Sequence, residues 1–432
     1  MKFLLPVFFV TTVQSLRADD WPHWRGAARN GLTRETSGWD EGLWNMPAGP
    51  RKVWEVNCGQ GSSSPVVAGE RAYVIGWKNG QDTVLCLDMK TGTEVWRRSY
   101  PSPRYGRQAK GDQGFYGGPS ATPELDVQTG ILYTLSCDGE LRAWDTGKDG
   151  ATVWKVNLYD AYQVEQRPAV TKHEDTRRDY GYTCAPLLLG DGLLVEVGST
   201  KTGTVIAFDK RTGKQLWASE LRDPAGHAGG LLPLQVEGQP ALGVFTALNV
   251  ALISLDEKTR GKTLAVRPWA TRFANNMATL AAVEGDVIVS TKWTSLTARL
   301  RPTLTQGWQT VWEAKNHGSN VTTPVVAGGE IYFAMRGMTC LDAKTGQVKW
   351  QGGRFSDSTS IIGCGDGRLM TWSNNGDLGL VDAVKNSPAE FRELAWFPLV
   401  KDDMAWPHLV LAERRLLCRV HSGRMMCMHL AK

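Results

Sequence analysis

The chain has 432 residues, among them 18 Trp, 47 Gly and 20 Pro, with 22% charged residues and a formal net charge of +5. This composition excludes a disordered or low-complexity chain and describes a globular one rich in turns and large apolar side chains. So small a charge on so long a chain calls for neither nucleic acid nor an anionic lipid surface as partner.

The first segment, residues 1–18, reads as a secretory signal peptide: Lys2, an apolar run from Phe3 to Val13, then small or polar residues with a cut after Ser15 or after Ala18. The run is broken by Pro6 and is well short of the roughly 20 apolar residues that a spanning helix needs, and no second long run follows. The chain is therefore expected to be exported, periplasmic or extracellular, and soluble, with no membrane span. Residues 19–50 read as a leader segment that packs on one domain formed by residues 51–432.

Within that domain a unit recurs. Ser64-Pro65-Val66-Val67-Ala68-Gly69 opens it, Ala72 to Ile75 and Val84 to Asp88 read as strands, and Lys90-Thr91-Gly92 turns into an outer strand carrying Trp96. Leu141 to Asp145 leads through a longer turn to Trp154, and Val205 to Asp209 leads through Thr212-Gly213 to Trp217. Thr323-Pro324-Val325-Val326-Ala327-Gly328 opens a later copy that passes Asp342 and Thr345-Gly346 to reach Trp350. Degraded copies run over Ala251 to Asp256, Val287 to Trp312, and Arg368 to Asp382. In each Asp-x-x-Thr-Gly the Asp side chain bonds the backbone ahead of it and Gly supplies the positive φ that closes the bend.

The last unit, Leu409 to Leu430, has three strands. Lys52-Val53-Trp54-Glu55-Val56, upstream of the first unit, reads as its missing outer strand. The count is then eight, and the expected fold is all-β: an eight-bladed β-propeller of four-stranded antiparallel blades, the ring closed by an N-terminal outer strand. Trp54, Trp96, Trp154, Trp217, Trp312 and Trp350 are the expected blade-docking residues, each filling the wedge between neighbouring sheets.

The last three strands also contain a cysteine pair. Leu416 to Leu430 reads as a hairpin about Ser422-Gly423, which sets Cys418 across from Cys427 at a non-hydrogen-bonded position; a disulfide there and two buried free thiols are both open readings. Gly261-Lys262-Thr263 and Gly363-Cys364-Gly365-Asp366-Gly367 lack the spacing of nucleotide-binding loops and read as turns. No zinc-type spacing of His or Cys occurs.

The Asp-x-x-Thr-Gly-x-x-x-Trp units at Asp88 to Trp96, Asp209 to Trp217 and Asp342 to Trp350 resemble the tryptophan-docking repeats of the pyrroloquinoline-quinone (PQQ) propeller superfamily, over Arg51 to the C-terminus. Asp20-Trp21-Pro22-His23-Trp24-Arg25-Gly26 with Asn30-Gly31-Leu32 looks like the leader of such propellers in exported proteins of planctomycete-like bacteria. The superfamily includes quinone-dependent dehydrogenases that hold PQQ and calcium in a central pocket. It also includes the cofactor-free scaffold lipoprotein of the outer-membrane barrel assembly machine. The sequence has neither the adjacent cysteine pair often found under the quinone nor a Cys-x-x-Cys-His haem motif, and no cysteine near the cleavage sites to carry a lipid.

What departs from the repeat is two inserts, Tyr100 to Gly118 and Tyr159 to Tyr182, each between an outer strand and the next inner one. Such loops on a rigid scaffold carry recognition. They supply Arg104, Tyr105, Arg107 and Tyr116, and Arg167, His173, Arg178, Asp179 and Tyr182, as candidate ligand-face residues. Shorter connections add His227, Asn276, His317, Asn320, Asp357, Trp406 and His408. The expected function is non-catalytic: binding of a protein, or of a polymer such as a polysaccharide, by a monomer without a cofactor. The alternative, implied by the resemblance, is a soluble alcohol or sugar dehydrogenase with PQQ and calcium; no catalytic residue is singled out.

Overall fold

The repeats resolve into sheets whose middle strands are buried on both faces, as in Gly192–Ser199, where every residue is buried. In the computed structural model, which describes residues 20–44, 50–104, 117–165, 180–271 and 276–430, there are thirty-two strands among the described residues. They form eight four-stranded antiparallel blades, the sixth and seventh joined by the single pair Ala334 and Thr359. Blade 1 runs from Val66 to Pro101, blade 2 from Glu124 to Asn157, blade 3 from Leu187 to Ala218 and blade 4 from Leu232 to Pro268. Blade 5 runs from Ala281 to Lys315, blade 6 from Val325 to Gly352 and blade 7 from Thr359 to Pro398. Blade 8 takes three strands from Val410 to His429 and its outer strand from Arg51–Asn57, which pairs with Arg424–His429. The two ends of the domain thus close the ring, as the orphan strand with Trp54 implied.

The turn chemistry is repeated to within a few tenths of an ångström. Asp88 Oδ1 accepts from the amides of Lys90 and Thr91, both at 3.0 Å, and from the Thr91 hydroxyl. Asp209 and Asp342 make the same set with Arg211 and Thr212, and with Lys344 and Thr345. The glycine that ends each turn has positive φ and lies against the Trp of the preceding blade. A Cβ on Gly92 would come within 2.7 Å of the Trp54 ring, and one on Gly150, Gly213 or Gly346 within 2.6 Å of Trp96, Trp154 or Trp312. The Trp54, Trp154 and Trp312 indoles each donate to a carbonyl of the next blade's turn, those of Met89, Lys210 and Ala343. Trp217 packs more loosely on Gly261, and Trp350 meets Phe391 of a longer blade 7 turn that has no such glycine.

Every one of the eight outer strands carries a register shift against its neighbour. In five blades the skipped residue directly precedes the docking Trp and is an exposed aliphatic: Val53, Val95, Val153, Leu216 and Val311. The extra residue bends the outer strand and increases its twist beside the docking Trp.

The cysteine expectation is corrected. The hairpin turns on three residues, His421 to Gly423, so Cys418 faces Met426 and Cys427 faces Leu417. A one-residue slip in register sends the two side chains to opposite faces of the strand pair. Both are free and buried, as are the six other cysteines.

Described residues of the leader touch blades on opposite sides of the ring. Trp21 pairs with Val67 of blade 1, the Leu125 amide of blade 2 donates to the Pro22 carbonyl, and Arg25 donates to the Pro324 carbonyl beside blade 6. Leu32 bridges Gly363 of blade 7, and the Glu35 carboxylate accepts from the Glu413 and Arg414 amides of blade 8. Glu124, fully buried in blade 2, pairs with His23 and Arg29. Residues 1–19, including the signal-peptide reading, lie outside the described residues. Among the described residues no helix is long and apolar enough to cross a membrane.

Candidate functional site

Because each blade runs inner to outer in four antiparallel strands, all the blade-to-blade connections emerge on one end of the ring, together with the turns between second and third strands. A cavity of about 210 Å³ opens there. Seven of the eight connections line it: Ser62 from blade 8 to 1, Ser120 from 1 to 2, Tyr180 and Thr183 from 2 to 3, His227 and Gly229 from 3 to 4, Met277 from 4 to 5, Asn320 and Val321 from 5 to 6, and Trp406 and His408 from 7 to 8. Trp293, from a turn of blade 5, and Trp24, from the leader, complete the lining. Cavities on the axis where several elements converge are common ligand sites.

Trp24 reaches the cavity from the far end of the ring, since the leader also holds the opposite turns, through Glu35 and through Ser37 on Asp366. Its ring lies 4.3 Å from that of His408, and Gly229 and Gly230 have no room for a Cβ beside it. Its buried Nε1 has no hydrogen-bond partner among the described residues, and so is a donor available to a bound group. Burial, and then the Arg25 charge, bring the His408 pKa down to about 3, so that this imidazole is neutral.

The lining contains no carboxylate among the described residues. Behind it stand guanidinium groups. Arg25 is buried, held by the Asn30 and Pro324 carbonyls, and makes no ion pair among the described residues. Arg419 is fully buried and bonded to the Ser63 and Gly59 carbonyls and the Ser63 hydroxyl, again without an ion pair. Burial lowers both, Arg25 to about 9 and Arg419 to about 10, and both remain charged at neutral pH. Two buried cations without an acidic partner among the described residues thus place positive charge behind the cavity wall.

Of the candidates read from the sequence, His227, Asn320, Trp406 and His408 line the cavity. Arg104 stands behind it, its Nε donating to Gln60 Oε1 at 2.8 Å. Asn276 is taken up elsewhere: fully buried, it donates to the Thr246 and Trp269 carbonyls and accepts from Thr271, tying the connection that leaves blade 4 back onto that blade. Tyr182 is core, its hydroxyl on the Val197 carbonyl and its ring 5.1 Å from that of Tyr159. Asp357 is paired with Arg336 and Lys292, and Arg336 first, then Lys292, holds its carboxyl below the usual range. His317 is half-buried outside the lining, and its carbonyl accepts from Thr297. Tyr105, Arg107, Tyr116, Arg167, His173, Arg178 and Asp179 lie outside the described residues. Sequence reasoning missed Trp24, Ser62, Trp293 and the His421 group behind Ser62; the adjacent Gly229-Gly230 pair, room for a ring, was the one signal that pointed to Trp24.

A family model described as outer membrane protein assembly factor BamB matches residues 45–176 and 108–352. The outer membrane protein assembly factor BamB of Burkholderia pseudomallei (strain K96243) is 29% identical over 172 residues, 39% of this chain and 33% of that protein. The protein of the same name from Aliivibrio fischeri is 39% identical over 62 residues, 14% of this chain and 15% of that protein. The chain thus spans a third or less of the length of these curated relatives. Among solved structures, BamB from Moraxella catarrhalis superposes with a TM-score of 0.56 at 13% identity, covering 88% of this chain and 99% of that one. The quinohemoprotein alcohol dehydrogenase of Comamonas testosteroni superposes with a TM-score of 0.64 at 13% identity, covering 96% and 81%. At such identity the structural likeness speaks to the fold alone.

Proposed function

The chain belongs to the family of the outer membrane protein assembly factor BamB, and from that premise we propose that it is an exported, non-catalytic, monomeric scaffold that holds a partner protein on the end of the ring where the connections gather. The observation that carries this is the axial cavity: seven connections and the leader converge on it, its walls are aromatic, and the buried arginines behind it have no acidic partner among the described residues. A cavity so built takes an acceptor-bearing, preferably anionic, group with a flat apolar body, such as a partner side chain or terminus offers.

The aromatic walls also suit a planar cofactor, and the family resemblance implies PQQ with calcium. Calcium takes six to eight oxygen ligands, carboxylates prominent among them. The described lining supplies no carboxylate, so the described residues do not fit that pair.

The test is site-specific photocrosslinking in the native host. A crosslinker at Asn320, on the mouth, is expected to trap a discrete partner, while one at Val266, exposed on the outer strand of blade 4, traps none. Adducts at Val266 and none at Asn320 would reverse the assignment of the binding end.

A further inference from the structure

Ser62 is the cavity residue whose proton direction the structure determines, through a relay of four side chains. Arg104 Nε donates to Gln60 Oε1 at 2.8 Å. A guanidinium can only donate, so this contact fixes which end of the Gln60 amide is oxygen. The Gln60 Nε2 group, 3.2 Å from His421 Nε2, is then a donor, and His421 Nε2 must accept. A neutral imidazole that accepts at Nε2 carries its proton on Nδ1, and Nδ1 stands 3.0 Å from Ser62 Oγ. Burial first, then the Arg419 charge, lower the His421 pKa to about 4, so the ring is neutral at physiological pH. Ser62 Oγ accepts from His421, and its own hydrogen has no partner among the described residues.

We infer that Ser62 is a hydrogen-bond donor dedicated to an acceptor oxygen of the bound group, its polarity set from the first insert by Arg104 through Gln60 and His421. This rests on the cavity being the binding site proposed above and adds what it selects: a carbonyl or carboxylate oxygen attached to a flat apolar body. The same direction of proton flow rules out Ser62 as a nucleophile activated by His421, because the imidazole presents N–H to the hydroxyl and no free lone pair.

Two measurements on the full chain separate this inference from the reading beneath it. Long-range nitrogen–proton correlation NMR reports the His421 tautomer without any ligand. A proton on Nδ1 is expected, and a proton on Nε2 overturns the relay. Gln60→Glu, nearly the same size, accepts from both Arg104 and His421, and is expected to move the proton to Nε2 so that Ser62 donates back into the ring. Binding is then followed with 2-acetonaphthone, a neutral flat ketone, by quenching of tryptophan fluorescence. Ser62→Ala and Gln60→Glu are each expected to weaken it by about tenfold, the size of one lost hydrogen bond. Ketone binding that is equal in wild type and both variants overturns the inference while leaving the cavity as a site. Failure of the wild type to bind either the ketone or naphthalene-2-carboxylate overturns the cavity reading, and Ser62 as a ligand donor with it, whatever the tautomer.

Discussion

The Trp54 indole covers Gly92 of the neighbouring blade and donates to the Met89 carbonyl at 3.1 Å, which makes one side chain the clasp between the last blade and the first. Trp54 comes from the N-terminal strand of the domain, so the clasp also joins its two ends.

Trp54→Ala should therefore cost about 3–5 kcal/mol, as large aromatic truncations in cores do. Deleting Arg51 to Asn57 removes the entire outer strand of blade 8 and should lower the melting temperature of the whole ring. Chemical denaturation gives the first number and calorimetry the second. A deletion variant that melts at the wild-type temperature would show that the strand is dispensable for closure.

The leader is tied down by Glu124. Burial pushes this carboxyl up, but the charges and hydrogen bonds of Arg29 and His23 outweigh it and hold the pKa below the usual range. A depressed carboxyl contributes stability that is present above its unfolded value of about 4.3 and is lost as pH falls through the folded value. Glu124→Gln should leave Arg29 without its charge partner, loosen the leader at neutral pH and flatten the acid limb of the stability curve. Limited proteolysis at pH 7 and denaturation from pH 7 down to pH 3 read the two effects.

Asp82 has the opposite sign. It is fully buried in blade 1, and burial raises it to about 6 although Ser136, Ser102 and Tyr100 face it. Because the folded state holds this proton more tightly, the stability that Asp82 contributes is greatest below about pH 4 and declines as pH rises toward 6. Asp82→Asn should remove that decline, a gain of roughly 2 kcal/mol at pH 8 relative to pH 4. Urea denaturation of both proteins at the two pH values checks it.

All eight cysteines are free and buried, and burial pushes the Cys418 and Cys427 thiols up. Thiol titration should find none reactive in the folded protein and eight in denaturant, and a reducing agent should leave the melting temperature unchanged. Six reactive thiols in denaturant without reductant would reinstate a disulfide.

What the sequence made legible was the part of the fold written in local chemistry. Asp88, Thr91 and Gly92 close their turn with bonds that span at most five positions, and Trp96 follows at fixed spacing, so a repeat reader sees blade, turn and wedge together. The Cys418 and Cys427 relation was illegible because a three-residue turn and a two-residue turn about the same glycine differ by one step of register, which local composition does not reveal. The cavity was half legible. His227, Asn320, Trp406 and His408 sit on connections that topology gathers, but Trp24 arrives from the opposite end and Ser62 matters through His421, 359 residues away in the chain. Asn276 shows the converse: it stands on the right connection, yet its amide is spent on two backbone carbonyls.

The shifted register in all eight outer strands has a consequence for how such a molecule lives among other chains. A sheet margin with a regular ladder of free amides and carbonyls is a template on which unfolded segments in transit can polymerise. One extra residue, in most blades the second of the outer strand, interrupts the ladder of each margin. A bulge next to the free edge of every blade thus blunts the rim against strand addition around its whole circumference.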